Sequence, residues 1–372
     1  MINFVSNLPE NLQSGGFSAM NAAAFSAVSR FEASNYIGPI NPPVMVWQKA
    51  PSKVRRWAGL QGSFFFFSRH RLTAIANAVH SKCKANAHLD FFHGFTPWIM
   101  TKPERPYITW SDCTFRDYID IFCRREKFRH EDLERIEEAE AAWLRNARLV
   151  LFTSEWAADR AVHQYALDAR RVTSVGVFGE IEMPVRDVYA GGKEFAFMST
   201  NFEAKGGRIV LSAFQELRKR DADVSLIVVG DKPSDLAPQP GLEFVGFLRK
   251  EVPSDLEQFR KILGRVRALV HPTKSDITPL VIVEAGYFGC PAISSRRFGI
   301  PELVDHDRTG ILLQEPSSTS VSDAMAWILE HTDEYERMRK CAWAKAHGQH
   351  SKQKFEERLV ANVREVVREK DC

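Results

Sequence analysis

A chain of 372 residues is longer than one compact domain usually runs, so two domains are expected. Its 44% apolar residues suffice for two cores, and 50 Lys and Arg against 47 Asp and Glu leave a formal charge of +3. That balance excludes a nucleic-acid binder that lives on phosphate neutralisation and favours small-molecule chemistry.

The opening residues 1–6 read as a first strand, lacking the basic and apolar regions of a signal peptide. No stretch approaches the roughly 20 apolar residues of a membrane span. Further strand-like runs follow at 89–93, 107–109, 149–153 and 172–177, with helical segments such as 131–148 and 154–165 between them. Six scattered cysteines with no CxxC pair suit reduced thiols in a cytoplasm. His80, Cys83, His88 and His93 lie close in sequence, yet a helix end running into a strand does not gather them as zinc ligands, and no metal is expected. Segment 53–71 mixes basic residues with the run Phe64–Phe67. A buried Phe run with solvated charges is the first reading, and peripheral contact with the inner membrane face the second.

Residues 185–193, with Gly191-Gly192, read as a linker between domains at 1–184 and 185–350. Beyond it, strand-like runs at 194–199, 224–230, 242–245, 268–271, 292–295 and 310–313 alternate with helical segments at 206–220, 256–264 and 279–289. Such alternation implies α/β domains with doubly wound parallel sheets, Rossmann-like in form. Two of them would face a ligand cleft with their strand carboxyl edges. After Val321 the pattern is all helical, and 355–368 sets Phe355, Leu359, Val363 and Val366 on one face.

The stretch 269–291 carries the most chemistry. A strand ends at His271, a polar loop holds Asp276, and a helix opens with Thr278 as N-cap and Pro279 in its first position. That helix is apolar almost all round, so it is expected to be buried. Glu284 is its only charge. A carboxylate there is either a structural ion-pair partner or an acceptor for ligand hydroxyls. The first N–H groups, of Leu280 and Val281, suit a phosphate. Asp276, beside such a site, would hold hydroxyls or simply occupy a turn. Upstream, Lys205-Gly206-Gly207 stands where a loop enters a helix, which permits close approach of an anion or only a tight junction.

The spacing of Asp276 and Glu284, with the following EAGYFGCPAISSRRFGIPELVDHDRTGILL, resembles the acidic pair and flanking motif of the retaining glycosyltransferases of family 4. The resemblance implies the GT-B fold, with the C-terminal helix (351–372) returning to the first domain. It implies that Glu284 binds the donor ribose and Asp276 the transferred sugar. Lys205 would contact the donor diphosphate, the turn at Gly15-Gly16 would face it across the cleft, and the backbone at Gly246-Phe247 would lie near the base. On the acceptor side, Ser111-Asp112 falls where the family carries a histidine, leaving Asp112 or His93 as polar candidates. Asp276 replaces a glutamate, and Thr200 stands in place of an arginine.

The implied reaction moves a sugar from a UDP- or GDP-sugar to a carbohydrate, glycolipid or small-molecule acceptor without a metal or other cofactor. Charge on the departing diphosphate would be met by Lys205 and the helix N-terminus. The alternatives are a non-catalytic GT-B-like subunit, and a nucleotide-sugar 2-epimerase or phosphorylase. The last would want a phosphate cluster or a pyridoxal-phosphate lysine that the chain lacks.

Overall fold

Runs of aliphatic and aromatic residues without polar alternation build the strands here, the pattern of strands covered on both faces. The computed structural model describes residues 1–11, 15 and 17–368. In it the chain divides into two units, Met1–Gly176 with the stretch from Phe355 on, and Val177–Lys354. The break falls ahead of residue 185, because Gly179 and Glu180 are tied by hydrogen bonds to Tyr287 and Glu284. Residues 187 and 189 are likewise held, through Arg339 on Asp187 and over the Tyr189 ring.

The first unit runs β1 (Ile2–Val5), α1 (Phe17–Phe31), β2 (Ser34–Ile37), α2 (Val46–Trp57), α3 (Arg69–Lys82), β3 (Leu89–His93) and β4 (Tyr107–Ser111). It continues with α4 (Phe115–Phe122), α5 (His130–Arg145), β5 (Leu149–Phe152), α6 (Glu155–Tyr165) and β6 (Val172–Ser174). The strands pair in parallel in the order β2-β1-β3-β4-β5-β6. Edge strand β2, Ser-Asn-Tyr-Ile, is short, polar and half-buried, so it carries no hydrophobic signature. Ser68, Thr114 and Ser154 cap α3, α4 and α6 through their side chains, satisfying N–H groups that a helix start leaves unpaired.

The histidines and cysteine weighed as zinc ligands do not converge. His88 pairs with Glu32 at 3.2 Å, and His93 lies in an aromatic stack with Phe17 and Trp110. No metal-holding group of His, Cys, Asp and Glu occurs among the described residues. No described helix is long and apolar enough to cross a membrane.

The second unit runs β7 (Glu194–Ser199), α7 (Gly207–Arg218), β8 (Ser225–Gly230), β9 (Leu242–Gly246), α8 (Pro253–Arg265), β10 (Ala268–His271) and α9 (Leu280–Tyr287). It ends with β11 (Ala292–Ser295), α10 (Ile300–Leu303), β12 (Gly310–Leu313), α11 (Ser318–Glu330) and α12 (Thr332–Gln349). Its parallel sheet has the order β12-β11-β10-β7-β8-β9, the doubly wound arrangement in which the winding reverses between β7 and β10. Loops leaving those two strands diverge to opposite faces and open a crevice at their carboxyl ends. Helix α9 packs closely on α12: a Cβ at Gly286 would lie 2.8 Å from Cβ of Ala346. Only glycine permits that approach.

The last helix, α13 (Lys352–Arg368), belongs to the first unit from Phe355 on. Its apolar face is buried as its spacing requires, with Phe355 against Trp110 at 5.5 Å between ring centres.

Within the first unit, Glu140 of α5 is fully buried. It accepts hydrogen bonds from Thr96 Oγ1 (2.6 Å), the Phe115 N–H (2.6 Å) and Tyr165 Oη (2.9 Å). Burial outweighs these donors and pushes its carboxyl up from 4.5 to about 7. A carboxyl raised on folding stabilises fully below its unfolded value, and that contribution is lost as pH rises through the folded one. Urea titrations should therefore show stability falling between pH 4.5 and about 7, by on the order of 3 kcal/mol. Glu140→Gln should flatten this slope, and an unchanged slope would show that Glu140 does not titrate there.

Candidate active site

Two loops meet at the reversal point of the second sheet. The loop after β7 ends in Lys205-Gly206-Gly207, and Gly206 is the N-cap of α7 with φ +87°. A Cβ on Gly206 would lie 2.7 Å from the Pro272 carbonyl oxygen, and one on Gly207 2.6 Å from the Phe202 ring. The glycine pair is therefore demanded by packing, which seats the loop after β7 directly on the loop after β10.

That seating delivers Lys205 to Asp276. The ammonium lies 2.7 Å from Oδ2 of Asp276 and donates to the Ser275 carbonyl at 2.6 Å. His271, the last residue of β10, places Nε2 3.4 Å from the same carboxylate oxygen. Burial pushes the Asp276 carboxyl up, but His271 and Lys205 outweigh it and hold it below the usual range. The loop itself is locked by buried hydroxyls. Ser294 donates to the His271 carbonyl and Ser295 to that of Thr273, each at 2.7 Å. Lys205 and Asp276 are both partly exposed, so the pair is open to a ligand.

Helix α9 begins one residue later than the sequence indicated. Pro279, not Thr278, is the N-cap, and no side chain caps it. Leu280 and Val281 supply the first N–H groups, which a helix leaves without intrahelical partners. From Ile282 to Tyr287 every residue is buried. Glu284 has no exposed surface: Oε1 accepts from Lys250 Nζ at 2.5 Å and from the Glu180 N–H at 2.9 Å. Lys250 also reaches Glu180 at 3.2 Å. Burial raises the Glu284 carboxyl against the pull of Lys250. The same burial would lower Lys250, but Glu284 and Glu180 outweigh it and hold the ammonium above its ordinary value. Oε2 of Glu284 is buried without a hydrogen-bond partner, an arrangement that costs free energy unless a donor is supplied.

Lys250, Glu180 and His271 were not singled out from the sequence. His271 had a readable signal, since it ends a strand five residues before Asp276. Lys250 and Glu180 had none, because each is distant in sequence from Glu284.

The other residues stand as follows. Gly246 ends β9 with φ +82° and open space where a Cβ would be, and Phe247 beside it is exposed. In the first unit Gly15 has φ +99°, its carbonyl accepting from the Ser18 N–H ahead of α1. Gly16 lies outside the described residues. His93 is a core residue: its ring is 4.5 Å from Phe17 and 5.1 Å from Trp110, and Nδ1 is 3.3 Å from Ser6 Oγ. Burial pushes it down to about 3, so it is neutral and shielded rather than a group presented to an acceptor. Asp112 follows β4, hydrogen-bonded by Ser111 Oγ at 3.4 Å, and burial raises its carboxyl.

Residues 180–344, which hold every one of the second-unit groups above, match the family described as glycosyl transferases group 1. That match takes in most of the second unit and none of the first. The chain is 25% identical over 218 residues to D-inositol 3-phosphate glycosyltransferase of Corynebacterium glutamicum, covering 52% of this chain and 51% of that one. The chain thus spans about half the length of that relative. It is 22% identical over 317 residues to alpha-D-kanosaminyltransferase of Streptomyces kanamyceticus, covering 77% and 76%. Anabaena HepE, solved in complex with UDP, superposes with a TM-score of 0.67 at 16% identity over 98% of this chain and 99% of its own. That likeness shows the GT-B fold.

Removing one partner of a buried ion pair leaves the other charge uncompensated. Lys250→Met should accordingly destabilise the second unit by about 3 kcal/mol in urea unfolding. The double variant Lys250→Met/Glu284→Gln should recover much of that loss. A single variant as stable as the parent would mean that the pair contributes nothing.

Proposed function

We propose that this chain is a retaining, metal-independent glycosyltransferase that takes a sugar from a nucleoside-diphosphate sugar, with the donor held by the second unit. The observation that carries this reading is the meeting of Lys205, Asp276 and the start of α9 at the reversal point of the sheet. A cation and two helix N–H groups are complementary to a diphosphate. A carboxylate kept ionised beside them is complementary to sugar hydroxyls. UDP is the favoured nucleotide, by analogy with the complex in which HepE was solved, and GDP the second choice.

In the folded chain Lys205 neutralises Asp276. An incoming diphosphate competes for the same ammonium, and its arrival frees Asp276 to accept from hydroxyls of the transferred sugar. As the bond from the anomeric carbon to the diphosphate oxygen breaks, negative charge grows on that oxygen. Lys205 and the N–H groups of Leu280 and Val281 are the groups that would receive it. The acceptor hydroxyl loses its proton to the same departing oxygen and bonds to the anomeric carbon from the face just vacated, so configuration is kept. Thr200 removes one cation from this scheme, and exposed Lys274 in the loop after β10 is a second cation there. Glu284 reaches the ribose hydroxyls when a donor replaces Lys250 or binds at Oε2. The acceptor is a carbohydrate, a glycolipid or a small molecule, for which Asp112 of the first unit is the candidate polar contact.

A thermal-shift screen against UDP-, GDP-, ADP- and dTDP-sugars tests donor binding, because a ligand of the folded state raises the midpoint. One nucleotide class should shift it, and Lys205→Ala should abolish the shift while the free protein melts as before. With that donor, Lys205→Ala should lower turnover about 100-fold or more, activity should survive a chelator, and the product anomer should match the donor's. No shift with any donor would instead favour a non-catalytic GT-B-like subunit. Parental rates in Lys205→Ala and Glu284→Gln would remove the assignment of the site.

A further inference from the structure

Helix α2 reverses the ordinary rule of a surface helix, which turns its apolar stripe to the core. At about 100° per residue, Val46, Trp47, Ala50, Val54 and Trp57 share one arc of about 100°. That arc faces solvent: Val46 is 80% exposed, Trp47 59%, Val54 64% and Trp57 90%. The opposite side of the helix faces the protein. Ser52 there is fully buried and donates to the Ser63 carbonyl at 3.1 Å. Arg55 fastens the far end through the Gln61 carbonyl at 3.0 Å. Leu60 and Met45 extend the exposed apolar surface beyond the helix ends, and Phe66 adds a ring from the turn that follows.

The charge along this segment of the sequence has one sign. No Asp or Glu occurs between Glu32 and Asp90, a stretch holding eight Lys and Arg. Lys49 and Lys53 flank the arc on one edge. Two acids are brought near from elsewhere: Glu126, whose carbonyl accepts from Gln61, and Asp132, which is engaged by the Phe64 N–H and by Arg135. Two exposed tryptophans on a ridge, with lysines whose stems can lie along it and whose heads stay in water, match the boundary between lipid chains and headgroups.

We propose that α2 docks the first unit on an anionic lipid surface, lying in the plane of the interface with Trp47, Val54 and Trp57 inserted and the lysines on lipid phosphates. A second copy of the chain is disfavoured as occupant. A twofold contact through this arc would set like charges of both copies against each other. With no membrane-crossing helix among the described residues, the contact is reversible and depends on salt. The expectation drawn from the Phe64–Phe67 run is thereby moved. Phe64 and Phe67 are core, and the lipid-facing surface lies just upstream.

Sedimentation of the full chain with vesicles tests this. Binding should be strong to phosphatidylcholine mixed with phosphatidylglycerol, weak to phosphatidylcholine alone, and lost at high salt. Trp47→Ser/Trp57→Ser and Lys49→Glu/Lys53→Glu should each weaken it about tenfold or more. Both variants should keep the parental melting midpoint, since none of these side chains is buried. Absence of binding to anionic vesicles, or equal binding by parent and Trp variant, overturns the proposal. So does a concentration-dependent dimer that Trp57→Ser dissolves in sedimentation velocity, which would assign the face to a second copy.

Discussion

The Lys205–Asp276 ion pair is where the second unit's topology becomes chemistry. Two loops leave neighbouring strands in opposite directions, and something must hold their tips together at the crevice. The glycines at 206 and 207 let the loops touch, the two serines that end β11 fix the second loop, and the ion pair joins the tips. An exposed surface ion pair contributes little to stability. This one is half-buried and supported by His271 and a backbone carbonyl, and its significance lies in pre-positioning. A cation already aimed at an anion needs little rearrangement to meet a ligand's anion.

Glu284 poses the opposite problem. It is wholly enclosed, its charge is sustained by Lys250 and the Glu180 N–H, and Glu180 in turn shares Lys250. Burial raises the Glu284 carboxyl, and the neighbouring Glu180 carboxylate adds to that rise. A neutral hydroxyl donor at Oε2 would supply the hydrogen bond that this oxygen lacks. Under the proposed function the enclosed carboxylate would meet a hydroxyl, and the Lys205 end of the crevice the diphosphate.

Much of this was legible in the residues. The strands at 194–199, 268–271, 292–295 and 310–313 were readable to the residue, because parallel strands buried on both faces are apolar throughout and bounded by loops. The buried acid on α9 was readable for the same reason, as one charge in an otherwise apolar helix. Edge strand β2 was not readable, being polar and half-buried. Nor was the identity of Glu284's partner: the resemblance pointed to a ribose, and the bare physics of burial to an ion pair, and the folded chain holds the ion pair. His93 shows the reverse limit. A histidine at a strand's carboxyl end has the sequence position of a site residue, but Phe17 and Trp110 arrive from distant parts of the chain to enclose it.

Positions where a local rule is broken carry the most information here. A sequence specifies its fold when propensity, patterning and charge agree, and disagreement tends to mark sites that serve something other than folding. Glu284 breaks the rule inward, as a charge where apolar residues belong. The α2 arc breaks it outward, as tryptophan and valine where polar residues belong. Each is tolerated because its neighbours compensate: Lys250 and Glu180 around the carboxylate, Ser52 and Arg55 tethering the helix by its polar side. The compensation differs in kind, and that difference is informative. Around Glu284 it is incomplete by one hydrogen bond, which a small ligand can supply. Along α2 it anchors the side facing the protein and leaves the apolar arc exposed, a strip that suits an extended surface rather than a small ligand.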